Sequence, residues 1–235
     1  MTHPQLLMLV PSRSRPDNAR RLAQACCDTA SSVRLVVGID ADDPTSDEYL
    51  ACAADPDNRL TVWVIPAREP RRPGMVAAVN DLCAQFIADH PFVGFMGDDH
   101  LPRTQHWDCT LCDAIRAQGG GIAYGNDLIQ REKLPTAVVM DAQIPRRLGY
   151  FAPPALAHLY VDNAWLDWGK GLGKVSYFDD VIIEHLHPVA SKAPWDPGYE
   201  SVNNNTVSTT DHDSYQAYVN SGELAADVAK LRAPA

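Results

Sequence analysis

No stretch of the 235-residue chain approaches the roughly 20 consecutive apolar residues that span a bilayer. The N-terminal stretch has no basic segment followed by an apolar core and a small-residue cleavage site, so a cytoplasmic location is expected. Basic side chains are scarce: 20 Lys and Arg against 30 Asp and Glu give a formal charge of −10, which argues against a non-specific nucleic-acid surface. Cys109 and Cys112 have C-x-x-C spacing, but no second pair or nearby His completes a zinc site. They and Cys26, Cys27, Cys52 and Cys83 read as free thiols of a reducing compartment. Without a secretory signal, the sequon Asn204-Asn205-Thr206 carries no weight. No Gly-x-Gly-x-x-Gly follows the first apolar run, which excludes dinucleotide binding of the usual kind. The segment Gly169 to Lys174 is one residue short of a P-loop and has Val175 where Ser or Thr should hold magnesium.

What is present is an ordinary globular composition, 46% apolar and 21% charged, in a chain long enough for one substantial core. Gln5–Pro11, Val33–Ile39 and Leu60–Ile65 read as strands, separated by helices over Asn18–Thr29 and Ser46–Ala54. A polar loop with Arg68, Arg71 and Arg72 leads to a helix over Met75–Asp89, whose Val76, Val79, Leu82, Cys83 and Phe86 share a stripe. Strand–helix alternation at this pitch predicts right-handed βαβ units, hence an α/β, Rossmann-like doubly wound sheet. The second half is less regular. Helices are expected over Trp107–Ala117, Pro145–Leu148 and Asp162–Leu172, with Asp162 as an N-cap. Ile122–Tyr124, Thr136–Asp141 and Val175–His187 read as extended, the second of them antiparallel to the sheet. Pro, Gly, Asn, Ser and Thr then predict an irregular segment over 188–213 and a closing helix over Ser214–Leu231.

The chain is organised around Phe92–His100, Phe-Val-Gly-Phe-Met-Gly-Asp-Asp-His, bounded by Pro91 and Pro102. It reads as a buried strand ending in Asp98 and Asp99, and ligands of open α/β sheets bind beyond the carboxyl ends of strands. Adjacent carboxylates repel unless a proton or cation relieves them. One reading is therefore a site for Mg2+ or Mn2+ shared with substrate phosphates, and the other a solvated Asp-Asp turn.

Several pieces in order over residues 1–190 resemble the GT-A glycosyltransferases, particularly their family 2-like group. Val10-Pro11-Ser12-Arg13 is similar to the nucleotide loop after the first strand, and Asp40 to the carboxylate that reads the nucleobase. Gly74-Met-Val-Ala-Ala-Val-Asn80 resembles that group's Gly-x-x-x-Ala-x-Asn helix. Gly97-Asp98-Asp99 resembles the x-Asp-Asp form of its DxD metal motif. Trp107-Asp108 and Arg147-Leu148-Gly149-Tyr150-Phe151 look like acceptor-side landmarks. The chain departs from the pattern at His100, where many members have another Asp.

The resemblance implies one GT-A domain over 1–235, with a nucleotide-sugar half (1–103), an acceptor half (104–190), and a lid with a C-terminal helix (191–235). It implies transfer of a sugar from a nucleotide-diphosphate sugar to a hydroxyl acceptor (a glycan, a protein, a small molecule or a modified DNA base), with Mn2+ or Mg2+. Asp99 is then the first metal ligand and Asp98 the second, with a late His, His185 or His187, as a third; His212 competes. Asp162 is the candidate base, with Asp167 in reserve. Arg13, Arg68 and Arg71 would pair with phosphates, or are solvated loop charges. Trp165, Trp168, Trp195, Tyr150 and Tyr199 would stack on sugar or pack in the core. Residues 188–213 would close over the nucleotide. Two other readings stand beside this one. A nucleotidyltransferase uses a related sheet, but the loop Ser12-Arg13-Ser14-Arg15 lacks the expected glycine. A non-catalytic nucleotide- or glycan-binding protein would need no base.

Overall fold

A computed structural model describes residues 5–55, 60–67, 74–202 and 204–234. Arg68, Arg71 and Arg72 lie outside the described residues. The chain runs β1 (Leu6–Pro11), α1 (Pro16–Thr29), β2 (Val33–Asp40), α2 (Ser46–Ala54), β3 (Leu60–Ile65), α3 (Met75–Phe86), β4 (Phe92–Phe95), β5 (His100–Pro102) and α4 (Trp107–Ala117). It continues with β6 (Ile122–Asn126), β7 (Val138–Asp141), α5 (Gln143–Leu148), α6 (Val161–Leu172), β8 (Val175–His185), α7 (Pro197–Val202), α8 (Asn205–Asn220) and α9 (Glu223–Arg232).

The strands form one mixed sheet in the order β3-β2-β1-β4-β7-β6-β8-β5. The first four are mutually parallel, and β7 then pairs antiparallel with both β4 and β6. β1 is apolar throughout because both its faces are covered, as expected of a central parallel strand. Leu6, Met8 and Val10 join the core beneath α1 and α4, whereas Leu7 and Leu9 join the core beneath α3, α5, α6 and α9. A three-layer α/β sandwich results, with the carboxyl ends of β1, β2 and β4 opening on one edge.

Several boundaries differ from those expected. α1 starts at Pro16, whose fixed φ and missing N–H suit a first turn. The 92–100 run is not one strand: β4 ends at Phe95, and His100 begins β5, which pairs with β8 at the opposite end of the sheet. Asp98 and Asp99 thus occupy the turn between two strands. The N-cap of α6 is Tyr160, in the left-handed region at φ 63°, so Asp162 lies inside the first turn instead of capping it. The described residues of 188–213 are not irregular throughout. They hold a 3-10 turn, α7 and the first half of α8, and the closing helix is two helices divided at Gly222, φ 88°. No helix among the described residues is long and apolar enough to cross a membrane.

Candidate active site

Beyond β1, β2 and β4 lies a cavity of about 450 Å³. Its wall includes Pro11, Ser12, Arg13, Asp40, Gly74, Asp98, Asp99, Asp162, His185 and His187, all singled out in the sequence. Asn80 and Asp167 are not part of that wall. The Asn80 amide ties α3 to the 151–152 backbone, accepting from the N–H of Phe151 (2.8 Å) and Ala152 (2.9 Å) and donating to the Ala152 carbonyl (2.9 Å). Asp167 accepts a 2.5 Å hydrogen bond from the Tyr215 hydroxyl on α8.

The two adjacent aspartates face different partners. Asp98, 6% exposed, accepts from Ser12 Oγ at 2.6 Å and sits 3.4 Å from both Arg15 Nη1 and Asn18 Nδ2. Burial and the neighbouring Asp99 charge push its pKa up to about 6. Asp99 faces the imidazoles. Its Oδ1 is 3.3 Å from His100 Nδ1, and its Oδ2 is 3.3 Å from His185 Nε2 and accepts from the Tyr199 hydroxyl at 2.7 Å. Burial works against the Asp99 charge, but the neighbouring imidazoles of His100 and His185 prevail and hold its pKa well below the ordinary carboxylate value. Gly97 makes the arrangement sterically feasible, since a Cβ there would lie 2.5 Å from Asp99 Oδ1.

The sheet brings the histidines together. His100 and His185 are direct partners in the β5–β8 ladder, and their rings stack at 4.1 Å. Donor atoms of Asp99, His100 and His185 all lie within 4.8 Å of one another, a spacing one cation can bridge. Burial and the field of His185 lower the His100 pKa, favouring the neutral ring that binds metals. His100 Nδ1 accepts the Gly97 N–H at 3.1 Å, while its Nε2 is buried without a hydrogen-bond partner. His187 lies past the end of β8, edge-on to His185 at 5.1 Å and to Tyr199 at 5.0 Å. His212 is on α8 beside Asp213, edge-on to Tyr160.

Asp162 lies on the facing wall. Its Oδ1 accepts the Asn163 N–H at 2.9 Å, and burial, the largest influence, raises its pKa. Trp165 also lines the cavity, fully buried and anchored by Nε1 to the Phe151 carbonyl at 2.9 Å. Trp168, Tyr150 and Tyr218 join a buried network around Asp227 of α9, and Trp195 is 50% exposed beside His187. Arg13 is shared between Asp40 (3.0 Å) and Asp42 (2.7 Å).

The sequence reading did not single out His100 or Arg15 as site residues. His100 follows the two aspartates directly, so the run Asp-Asp-His was itself the available signal. Arg15 had no signal beyond its place in the loop after β1.

No protein-family model and no curated protein sequence matches the chain. Solved structures do. A mannosyltransferase from Pyrobaculum calidifontis, in complex with GDP-Man and Mn2+, superposes with a TM-score of 0.64 at 14% identity, over 97% of this chain and 79% of that one. Glucosyl-3-phosphoglycerate synthase from Mycobacterium tuberculosis, in complex with phosphoglyceric acid, gives 0.59 at 11% identity over 90% and 80%. S. aureus TarS gives 0.58 at 13% identity over 76% of this chain and 36% of that one. The mixed sheet with its cleft at the strand ends is thus the GT-A glycosyltransferase fold.

Proposed function

We propose that the protein is a metal-dependent glycosyltransferase that moves a sugar from a nucleotide-diphosphate sugar to a hydroxyl acceptor. One observation carries this reading: Asp99, His100 and His185 converge at the strand-end cavity of a GT-A fold. The likeness to a mannosyltransferase solved with GDP-Man and Mn2+ supports a nucleotide-sugar donor and a divalent ion.

The residues fit such an ion. One carboxylate and two imidazoles form a mixed oxygen and nitrogen set, which suits Mn2+ ahead of Mg2+. The buried His100 Nε2 has no protein hydrogen-bond partner, which is in keeping with a nitrogen left for a ligand. When bound, the ion offsets the charge that develops on the departing diphosphate.

The chain's own groups account for the other needs. Asp98 braces the turn through Ser12, which keeps Asp99 directed at the histidines. Arg13 and Asp40, at the ends of β1 and β2, are placed to meet the nucleoside. Asp162 takes the proton of the acceptor hydroxyl as its oxygen bonds to the anomeric carbon and the bond to the diphosphate oxygen breaks. Its raised pKa brings its basicity closer to that task. Trp165 packs against Phe95 and Phe151 behind the cavity and keeps that side of the site dry.

The test is thermal unfolding with UDP, GDP, CDP, ADP and dTDP, each with and without Mn2+. A nucleotide at about 100 times its Kd adds about 2.7 kcal/mol, which raises Tm by roughly 5–10 °C in a chain of this size. The expected result is a metal-dependent rise with one nucleotide, lost in Asp99→Ala. No rise with any nucleotide would overturn the reading.

A further inference from the structure

Arg15 occupies the N-cap of α1, where the carboxyl end of β1 turns into the helix, and lines the cavity. Its guanidinium forks onto Asp196, Nε to Oδ2 at 2.8 Å and Nη2 to Oδ1 at 2.6 Å, and lies 3.8 Å over the Tyr199 ring. The Tyr199 hydroxyl in turn donates to Asp99 Oδ2, the oxygen that also faces His185. Segment 196–199 therefore holds two groups at once: the fork of a cavity arginine and a lone pair of the carboxylate in the metal cluster. Its backbone is fitted closely to that arginine, since a Cβ on Gly198 would lie 2.8 Å from Arg15 Nη2.

We propose that Arg15 binds the diphosphate of the donor, with Asp196 as an internal competitor for the same guanidinium and Tyr199 as a competitor for Asp99. The inference rests on the donor site proposed above. A guanidinium fork pairs with phosphate by the same bidentate geometry it uses for carboxylate. Two arginines line the cavity among the described residues, and Arg13 is the exposed one, already shared by Asp40 and Asp42. The Arg15 side chain is 17% exposed and lies 3.4 Å from Asp98, the residue next to Asp99, on the side of the cavity where a metal-bound diphosphate would lie. Asp196 is 36% exposed, so water can reach the pair and exchange is feasible. The single buried residue of α7 is Tyr199, which carries one of these two contacts. Donor and metal therefore displace the segment from both contacts together, and its release is coupled to loading.

Calorimetric titration tests this, using Mn2+ and the nucleoside diphosphate that stabilises the wild type. Asp196→Asn keeps the shape and removes the competing charge, so the diphosphate binds about fivefold tighter, equivalent to roughly 1 kcal/mol. Arg15→Lys weakens the diphosphate at least tenfold and leaves the matching nucleoside unchanged, whereas a merely structural Arg15 would lose both. Tyr199→Phe tightens Mn2+ binding, read without any nucleotide. If the wild type binds and Asp196→Asn binds no tighter, this inference is overturned and the donor site stands. If the wild type binds no nucleotide, both fall. Asp196→Asn and Tyr199→Phe keep the test decisive should Arg15→Lys fail to fold.

Discussion

Asp98→Asn should change how stability depends on pH in a calculable way. The Asp98 pKa is about 6 in the fold against an ordinary 3.8. A carboxyl whose folded pKa is raised stabilises the fold while protonated, and that contribution is lost as pH rises through the folded value. At 1.36 kcal/mol per pH unit, the wild type loses about 2.4 kcal/mol from this one group between pH 4 and pH 7. Asparagine cannot ionise, and its amide oxygen can still accept from Ser12. The 3.4 Å contact with Arg15 is a charge pair only once Asp98 ionises, and its opposing pull is already contained in the value of about 6, so it adds no separate pH dependence. Urea unfolding of both proteins in EDTA, at closely spaced pH values, isolates the effect. The variant's stability relative to wild type should improve by about 2.4 kcal/mol as pH rises from 4 to 7, a swing of roughly 5–10 °C in Tm. A difference that is flat with pH, or that grows in the wild type's favour, would refute the assignment of Asp98 as the strained member of the pair.

Two further outcomes follow from contacts around the cavity. Gly97→Ala adds a methyl 2.5 Å from Asp99 Oδ1, and overpacking of about 1–3 kcal/mol should weaken Mn2+ binding roughly tenfold while removing no ligand; an unchanged calorimetric Kd would contradict the metal role of Asp99. Asp211→Ala strips the acceptor from the N–H groups of Ala157, His158 and Leu159, held at 2.7–3.0 Å by a residue 2% exposed. It should cost about 3 kcal/mol in chemical unfolding, whereas a loss below about 0.5 kcal/mol would mean that water replaces the carboxylate freely.

The first half of the chain, through β4, was legible because its elements are specified locally. Leu6 to Val10 is apolar at every position, which only a strand covered on both faces requires, and the punctuation by Pro, Gly and Asp falls where strands end. The 188–213 stretch misled for the opposite reason. α8 is rich in Ser, Thr, Asp and Asn, poor helix formers, and is held by long-range contacts: Asp211 clamps the 157–159 backbone, and Tyr215 reaches Asp167 on α6. Its one local signal is Asn204, which caps the helix by accepting the Val207 N–H at 2.9 Å. In the candidate site, Asp98 and Asp99 stood out as a pair, but nothing local could reveal that one faces Ser12 and Arg15 while the other faces two imidazoles. Pairing of Arg15 with Asp196 joins opposite ends of the chain and leaves no periodic trace. Asn80 shows a motif position whose side chain is engaged in holding backbone, a long-range contact with no local trace.

The direct pairing of His100 with His185 means that the donor set is defined by strand alignment as much as by residue type. A slip of β8 by one position would set Glu184 or Leu186 opposite His100 and turn the imidazole to the other face. Loops between these strands can lengthen or shorten without touching the cluster, but a single inserted residue within β8 would dismantle it. Closing this ladder also requires distant parts of the chain to meet, a step that pays its entropy before any reward. Metal affinity would then serve as a gauge of whether the far edge of the sheet has zipped into alignment, a property that secondary-structure content alone cannot register.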